Sequence, residues 1–245
     1  MKFRVANWVV LILCAMLAAG IMVLCWFEYE NELMLWLLGI SAILSLPVCS
    51  LLHELGHMLF GGFSKIHAKI NWSSIFVFFK PSSCEIIPRT DKGIKKRLIA
   101  TAAGGLVVNF IFIIFGAIAL KVGAIPTYLA IVAPASFYLF VMNVMPYETG
   151  SGKTDGLVIA DILKDDDSAK VMLAVLTVQA QVLGGKPIAE VDENLLFDLP
   201  QIQEDDPTFI SLTELRAEYF AAKGDTEQAQ KYQSRFEQLK EDYLQ

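Results

Sequence analysis

Leu33–Phe60 reads LMLWLLGISAILSLPVCSLLHELGHMLF, a run of 28 residues with one carboxylate, Glu54, and no lysine or arginine. As a helix it would rise about 42 Å, against about 30 Å of bilayer hydrocarbon. Its far end carries His53-Glu54-Leu55-Gly56-His57. Residues four apart lie on one helical face, one turn from each other. Two imidazoles so placed can grip one metal ion, and the carboxylate beside the first can act as general base. The motif takes two of the three histidines in the chain. Polar groups at such a depth are costly, which favours a metal site over histidines merely solvated at a helix end. Pro47 predicts a kink or local break above the motif, and Gly61-Gly62 predicts the helix end.

Outward from this run the composition is that of a membrane protein. The 245 residues are 55% hydrophobic with mean hydropathy +0.50, too apolar for an ordinary soluble domain. Trp8–Phe27 carries no charge and is long enough to span; its length favours an uncleaved helix over a signal peptide. Further apolar spans fall at 98–122 and 128–145, giving four with 8–27 and 33–60. Residues 63–97 are broken by lysines, arginines, Pro81 and Pro88. Their apolar core, Ile75–Phe79, is too short to span as a helix and predicts a short β-hairpin or re-entrant loop.

Charge divides the chain. Residues 1–156 hold 12 basic and 8 acidic side chains, and residues 157–245 hold 8 and 18. The first part predicts a membrane domain with basic loops, the second an acidic, cytosolic helical domain. Neither offers the basic face that nucleic acid requires. Lys2 and Arg4 predict a cytoplasmic N-terminus, which with four spans also leaves the tail and the basic 63–97 loop in the cytoplasm. In the tail, Asp206-Pro207 predicts a helix start. Ala217–Ala229, with Gly224-Asp225 at its centre, resembles half a tetratricopeptide unit that could take a protein partner. The alternative is a plain helical hairpin with a solvated charged face. Cys14, Cys25, Cys49 and Cys84 form no C-x-x-C pair and predict neither a disulfide framework nor a thiolate site.

Two histidines leave a catalytic metal one protein ligand short. His67 and Glu85 have no supporting spacing. The better candidate lies in Asn143-Val-Met-Pro146-Tyr-Glu-Thr-Gly-Ser-Gly-Lys-Thr-Asp155-Gly156, with Asp161 as the fallback. Within it, Gly150–Thr154 mimics a phosphate-binding loop, but what precedes is a transmembrane segment and the first glycine of that pattern is replaced by Tyr147.

These motifs together resemble the site-2 protease family of intramembrane zinc metalloproteases. That family pairs a His-Glu-x-x-His helix with a distant Asn-x-x-Pro-x-x-x-x-Asp-Gly motif. Here eight residues separate Pro146 from Asp155, four more than the common form. Gly104-Gly105-Leu106-Val107-Val108-Asn109 is similar to the family's Gly-Gly-Pro-x-x-Asn, with Leu106 in place of proline. The resemblance covers residues 33–156. It implies a three-helix catalytic core and Zn²⁺ on His53, His57 and Asp155, with Glu54 as general base. It also implies a bacterial cytoplasmic membrane and membrane-anchored protein or peptide substrates. Asn109 and Asn143 are candidates for substrate or oxyanion contacts, or for core hydrogen bonding alone. An enzyme strand within 66–80 could pair with an unwound substrate. The competing readings are a non-catalytic membrane scaffold recruiting a partner through its acidic tail, and a transporter; four spans without an internal repeat argue against the latter.

Overall fold

The computed structural model describes residues 2–70, 84–122, 125–149 and 152–244. They form a mostly helical chain. Four segments are long and apolar enough to cross a membrane: Asn7–Tyr29, Glu32–Phe63, Ile94–Ala119 and Thr127–Val144. The helices are α1 (Lys2–Tyr29), α2 (Glu32–Phe63), α3 (Ile94–Ala119) and α4 (Val132–Val144), the last entered through a 3-10 turn at Thr127–Ile131.

Two boundaries differ from the sequence reading. Helix α2 is continuous through Pro47 and passes Gly61-Gly62 to end at Phe63. The chain turns at Lys65, whose φ of +56° is a left-handed conformation. Proline tolerance in a long apolar helix rests on neighbours that re-satisfy the freed backbone. Helix α3 likewise starts at Ile94, four residues before the apolar run. Its first turn is held by Arg97, which donates to Lys92 O and Ser64 O, both at 2.7 Å.

Strand β1 (Ile66–Ile70) pairs with β2 (Cys84–Pro88) in a two-stranded sheet. The apolar stretch Ile75–Phe79 expected between them lies outside the described residues. The region after α4 carries β3 (Glu148–Thr149) and β4 (Gly152–Lys153), then α5 (Asp155–Lys164) and α6 (Asp167–Leu183). A 3-10 turn (Ile188–Glu190) and α7 (Asn194–Phe197) follow, then the hairpin of α8 (Pro207–Lys223) and α9 (Thr226–Leu244).

The chain forms two compact units. One comprises residues 1–60, 69–85 and 101–157; the other comprises 61–68, 86–100 and 158–245. The second therefore takes in most of the basic loop as well as the acidic tail. In the first unit, Ile21, Cys25, Leu38, Ala119, Ala130 and Ile131 pack together. Around that core, α1 and α2 leave large apolar side chains open, Trp8, Met16, Phe27 and Trp36 among them. Water would not tolerate so broad an apolar surface, whereas lipid does.

The second unit has an apolar core built on both faces of α6. Val171, Val175 and Val178 meet Leu196, Leu212, Leu215 and Tyr219 on one side. Ala169 and Leu176 meet Ile66, Ile94, Leu98 and Ile162 on the other. Asp206 caps α8, accepting from Thr208 N at 2.7 Å, with Pro207 in the first turn. Gly224 ends α8 at φ +81°, a conformation that glycine adopts without a Cβ penalty. Asp225 then caps α9, accepting from Gln228 N at 3.1 Å. The helix, Gly-Asp turn and helix expected of this tail are thus present.

Leu196 is fully buried, whereas Leu163 is 67% exposed. Leu196→Ala should cost about 2–5 kcal/mol through the lost contacts and the cavity left behind, and Leu163→Ala within about 0.5 kcal/mol. Hydrogen exchange of the α6 and α8 amides in the full-length protein reads both; equal protection in the two variants would contradict this packing.

Candidate metal centre

Helix α2 presents His53, Glu54 and His57 on its inner side, all of them buried. The two imidazoles lie edge to face with their Nε2 atoms 3.1 Å apart. Asp155, the first residue of α5, turns its carboxylate toward both. Its Oδ2 is 3.2 Å from His53 Nε2 and its Oδ1 is 3.5 Å from His57 Nε2. This group could hold a metal ion, with one donor atom from each of the three residues.

The donor set fits a small four-coordinate cation. Donors about 2.0–2.1 Å from one ion at tetrahedral angles lie about 3.3 Å from one another. The two imidazole nitrogens, 3.1 Å apart, stand close to that edge, and one atom from each of the three residues lies within 4.8 Å of the other two. Among the described residues, Glu54 Oε2 is buried without a hydrogen-bond partner. Buried carboxylate oxygens without partners are rare and costly, and a cation beside them removes the cost.

His57 is oriented for this role by α3. Its Nδ1 lies 2.8 Å from the carbonyl oxygen of Thr101. A carbonyl only accepts, so the ring proton sits on Nδ1 and the Nε2 lone pair faces the other two donors. His53 has the buried Asn109 behind it, with Nδ2 2.9 Å from His53 Nδ1. Two glycines let α3 approach this closely. A Cβ on Gly105 would stand 2.5 Å from His53 Cε1, inside the ring's own volume. A Cβ on Gly104 would stand 2.5 Å from Gly56 O, and one on Gly56 would stand 2.6 Å from Gly104 O. The two helices therefore touch backbone to backbone, as small residues permit in membrane helices.

The third donor arrives through the 145–155 segment. Its extra length is folded into an antiparallel hairpin, with Glu148 opposite Lys153 and Thr149 opposite Gly152. Thr154 closes the hairpin's base. Its hydroxyl oxygen lies 2.8 Å from Met145 O and 3.1 Å from Tyr147 O, and it accepts from Leu157 N at 3.3 Å. The last bond caps α5 by the usual N-terminal device. Of the segment that resembled a phosphate-binding loop, Gly152–Lys153 is strand β4 and Thr154 is the cap, while Gly150 and Ser151 lie outside the described residues. Gly156 follows because a Cβ there would collide with the carbonyl of Val144. The start of α5 thus abuts the end of α4, which aims Asp155 at the histidines.

Not every candidate joins the group. Asp161 lies six residues further along α5, about 9 Å along its axis, and is not among the three donors. His67 is exposed on β1, its Nδ1 3.5 Å from Arg89 Nη2. The side chain of Glu85 lies outside the described residues. Asn143 donates to Leu139 O of its own helix at 2.9 Å. Asn109 is fully buried against His53, which makes it a partner of the histidine. Sequence reasoning passed over Thr101, because a backbone carbonyl carries no residue-type signal. It also passed over Thr154, although a threonine directly before an acidic first turn is a recognisable cap.

Set against protein-family models, curated protein sequences and solved structures, the chain matches none of them. The geometry of the site therefore carries the functional argument.

Gly105→Ala should push the His53 ring out of line and weaken metal binding at least tenfold, as loss of a ligand's orientation does. Gly20→Ala, where an added methyl meets nothing within 4 Å, should leave it unchanged. Metal content of the two purified variants under chelator competition makes the comparison.

Proposed function

We propose that this protein is an intramembrane zinc metalloprotease of the site-2 kind, hydrolysing peptide bonds of membrane-anchored proteins or peptides. The observation that carries the reading is the convergence of His53 Nε2, His57 Nε2 and the Asp155 carboxylate, one oxygen of which lies 3.2 Å from the first and the other 3.5 Å from the second, with the Glu54 carboxylate buried alongside and one oxygen unpartnered. Two neutral imidazoles and one carboxylate are a donor set suited to catalytic zinc, which keeps its fourth position open. In this reading α2, α3 and α4 form the catalytic core. The N-terminus and the acidic helical domain face the cytoplasm, as the basic residues between α2 and α3 favour.

When bound, zinc supplies the Lewis acidity that polarises a peptide carbonyl and acidifies water. Glu54 supplies the base. Its free oxygen takes the proton that water gives up on attacking the carbonyl carbon. It then delivers that proton to the nitrogen of the breaking C–N bond, so the amine leaves neutral. His57 is held in register by Thr101 O, and Asp155 by the α4–α5 junction, so neither has to reorganise during the reaction.

The surroundings favour a substrate that arrives from lipid. At the level of the motif, Leu55, Met58 and Leu59 on the outer side of α2 are 41%, 37% and 55% exposed. A helical substrate hides its carbonyls in its own hydrogen bonds and has to unwind before attack. The 32 residues of α2 rise about 48 Å, so the motif near its end can lie where water reaches it.

Glu54→Gln should keep the metal and abolish cleavage, because the amide has no basic oxygen. Membrane proteomes of cells carrying the wild-type or the Glu54→Gln protein should then differ by a precursor that accumulates only with the variant. Asp155→Ala should lower metal content, and Asp161→Ala should not. A wild-type protein that binds no zinc would sink the protease reading and leave the scaffold, with its acidic helical hairpin as the docking element, in its place.

A further inference from the structure

The geometry points to Asn109 as a positioning residue that sets which ring nitrogen of His53 carries the proton, and so makes His53 competent to bind metal. The inference rests on the metal-centre reading above. It starts from three contacts and one unpartnered amide oxygen. Asn109 Nδ2 lies 2.9 Å from His53 Nδ1. His53 Nε2 lies 3.1 Å from His57 Nε2 and 3.2 Å from Asp155 Oδ2. Asn109 Oδ1 is buried without a partner among the described residues.

With the amide nitrogen donating, His53 Nδ1 is the acceptor, and the single ring proton sits on Nε2. There it faces two acceptors, the His57 lone pair and the Asp155 oxygen. Metal binding requires the reverse, because Nε2 can offer its lone pair only if the proton is on Nδ1. An N–H facing an N–H would then be repulsive at 2.9 Å. Rotation of the carboxamide by half a turn puts Oδ1 where Nδ2 stood and removes the conflict. A side-chain amide is the group that can serve both states, since it carries a donor and an acceptor of nearly the same shape. The imidazole keeps one proton throughout; only its position changes.

The surroundings support this assignment. Asn109 is completely buried, and the next turn of α3 toward its N-terminus carries Gly105, which lies against the same ring. Asn109 acts through the histidine.

The test is zinc affinity of the purified full-length protein, measured by competition with a chelating dye. Asn109→Leu removes both hydrogen-bonding atoms at similar volume and should weaken zinc about 10- to 100-fold, the usual effect of losing a ligand's outer partner. Asn109→Asp keeps the acceptor and should bind zinc within about threefold of wild type, or more tightly, since carboxylate partners are favoured behind metal-bound imidazoles. Wild-type affinity in Asn109→Leu, or an equal loss in both variants, overturns the inference; the second result would mean that Asn109 only packs. If a variant fails to fold, the wild-type protein decides. With three histidines in the chain, ¹⁵N-histidine labelling resolves the His53 ring nitrogens. Zinc should move the His53 proton from Nε2 to Nδ1, and a metal-loaded His53 without a proton on Nδ1 overturns the assignment. Absence of zinc binding by the wild-type protein is a different failure, that of the metal centre itself, and takes this inference with it.

Discussion

Helices α2 and α3 meet backbone to backbone where Gly56 faces Gly104, and the geometry of the site follows from that contact. The approach places one face of α3, Thr101, Gly105 and Asn109 at intervals of four, along the motif face of α2. Each position on that face does a different job. Thr101 offers a carbonyl to His57, Gly105 leaves room for the His53 ring, and Asn109 stands behind it. A helix pair separated by one more methyl group would lose all three relations together. The distance between two backbones thus fixes the orientation of both imidazoles before any metal arrives.

The second constraint is the α4–α5 junction. An aspartate about a hundred residues from the histidines has to reach them with its carboxylate already aimed. Gly156 lets the start of α5 sit against Val144 O, and Thr154 ties the same point to Met145 and Tyr147. The aspartate therefore stands on a helix end anchored from two sides, where a flexible loop would have to be ordered on binding at an entropic cost.

Much of this was legible in the sequence, for identifiable reasons. The spacing of His53 and His57 is a statement about helix geometry, and the apolar runs about length against bilayer thickness; both survive without tertiary knowledge. Gly104-Gly105 could be read as close packing, yet what each glycine faced could not. Asp155 could be preferred to Asp161 only by likeness to a motif; its contact with both imidazoles depends on the hairpin that folds away the intervening residues. The end of α2 was misread because glycines mark helix ends where solvent competes for the backbone, a competition weakened beside apolar neighbours. Asn109 stood out as a buried amide, but its partner lies 56 positions away, across a helix interface that no local pattern encodes.

The hairpin between Met145 and Thr154 separates contour length from span. The site depends on the gap between these two residues, which one threonine hydroxyl bridges in 2.8 Å. The number of residues looped out beyond that bridge is invisible to it. Lengthening a surface loop whose ends are already pinned costs little, because closure entropy grows only with the logarithm of length. The spacing from proline to aspartate is therefore a poor ruler for sites of this kind. A threonine that both bridges its own loop and begins a helix, directly before Asp-Gly, is the more durable mark.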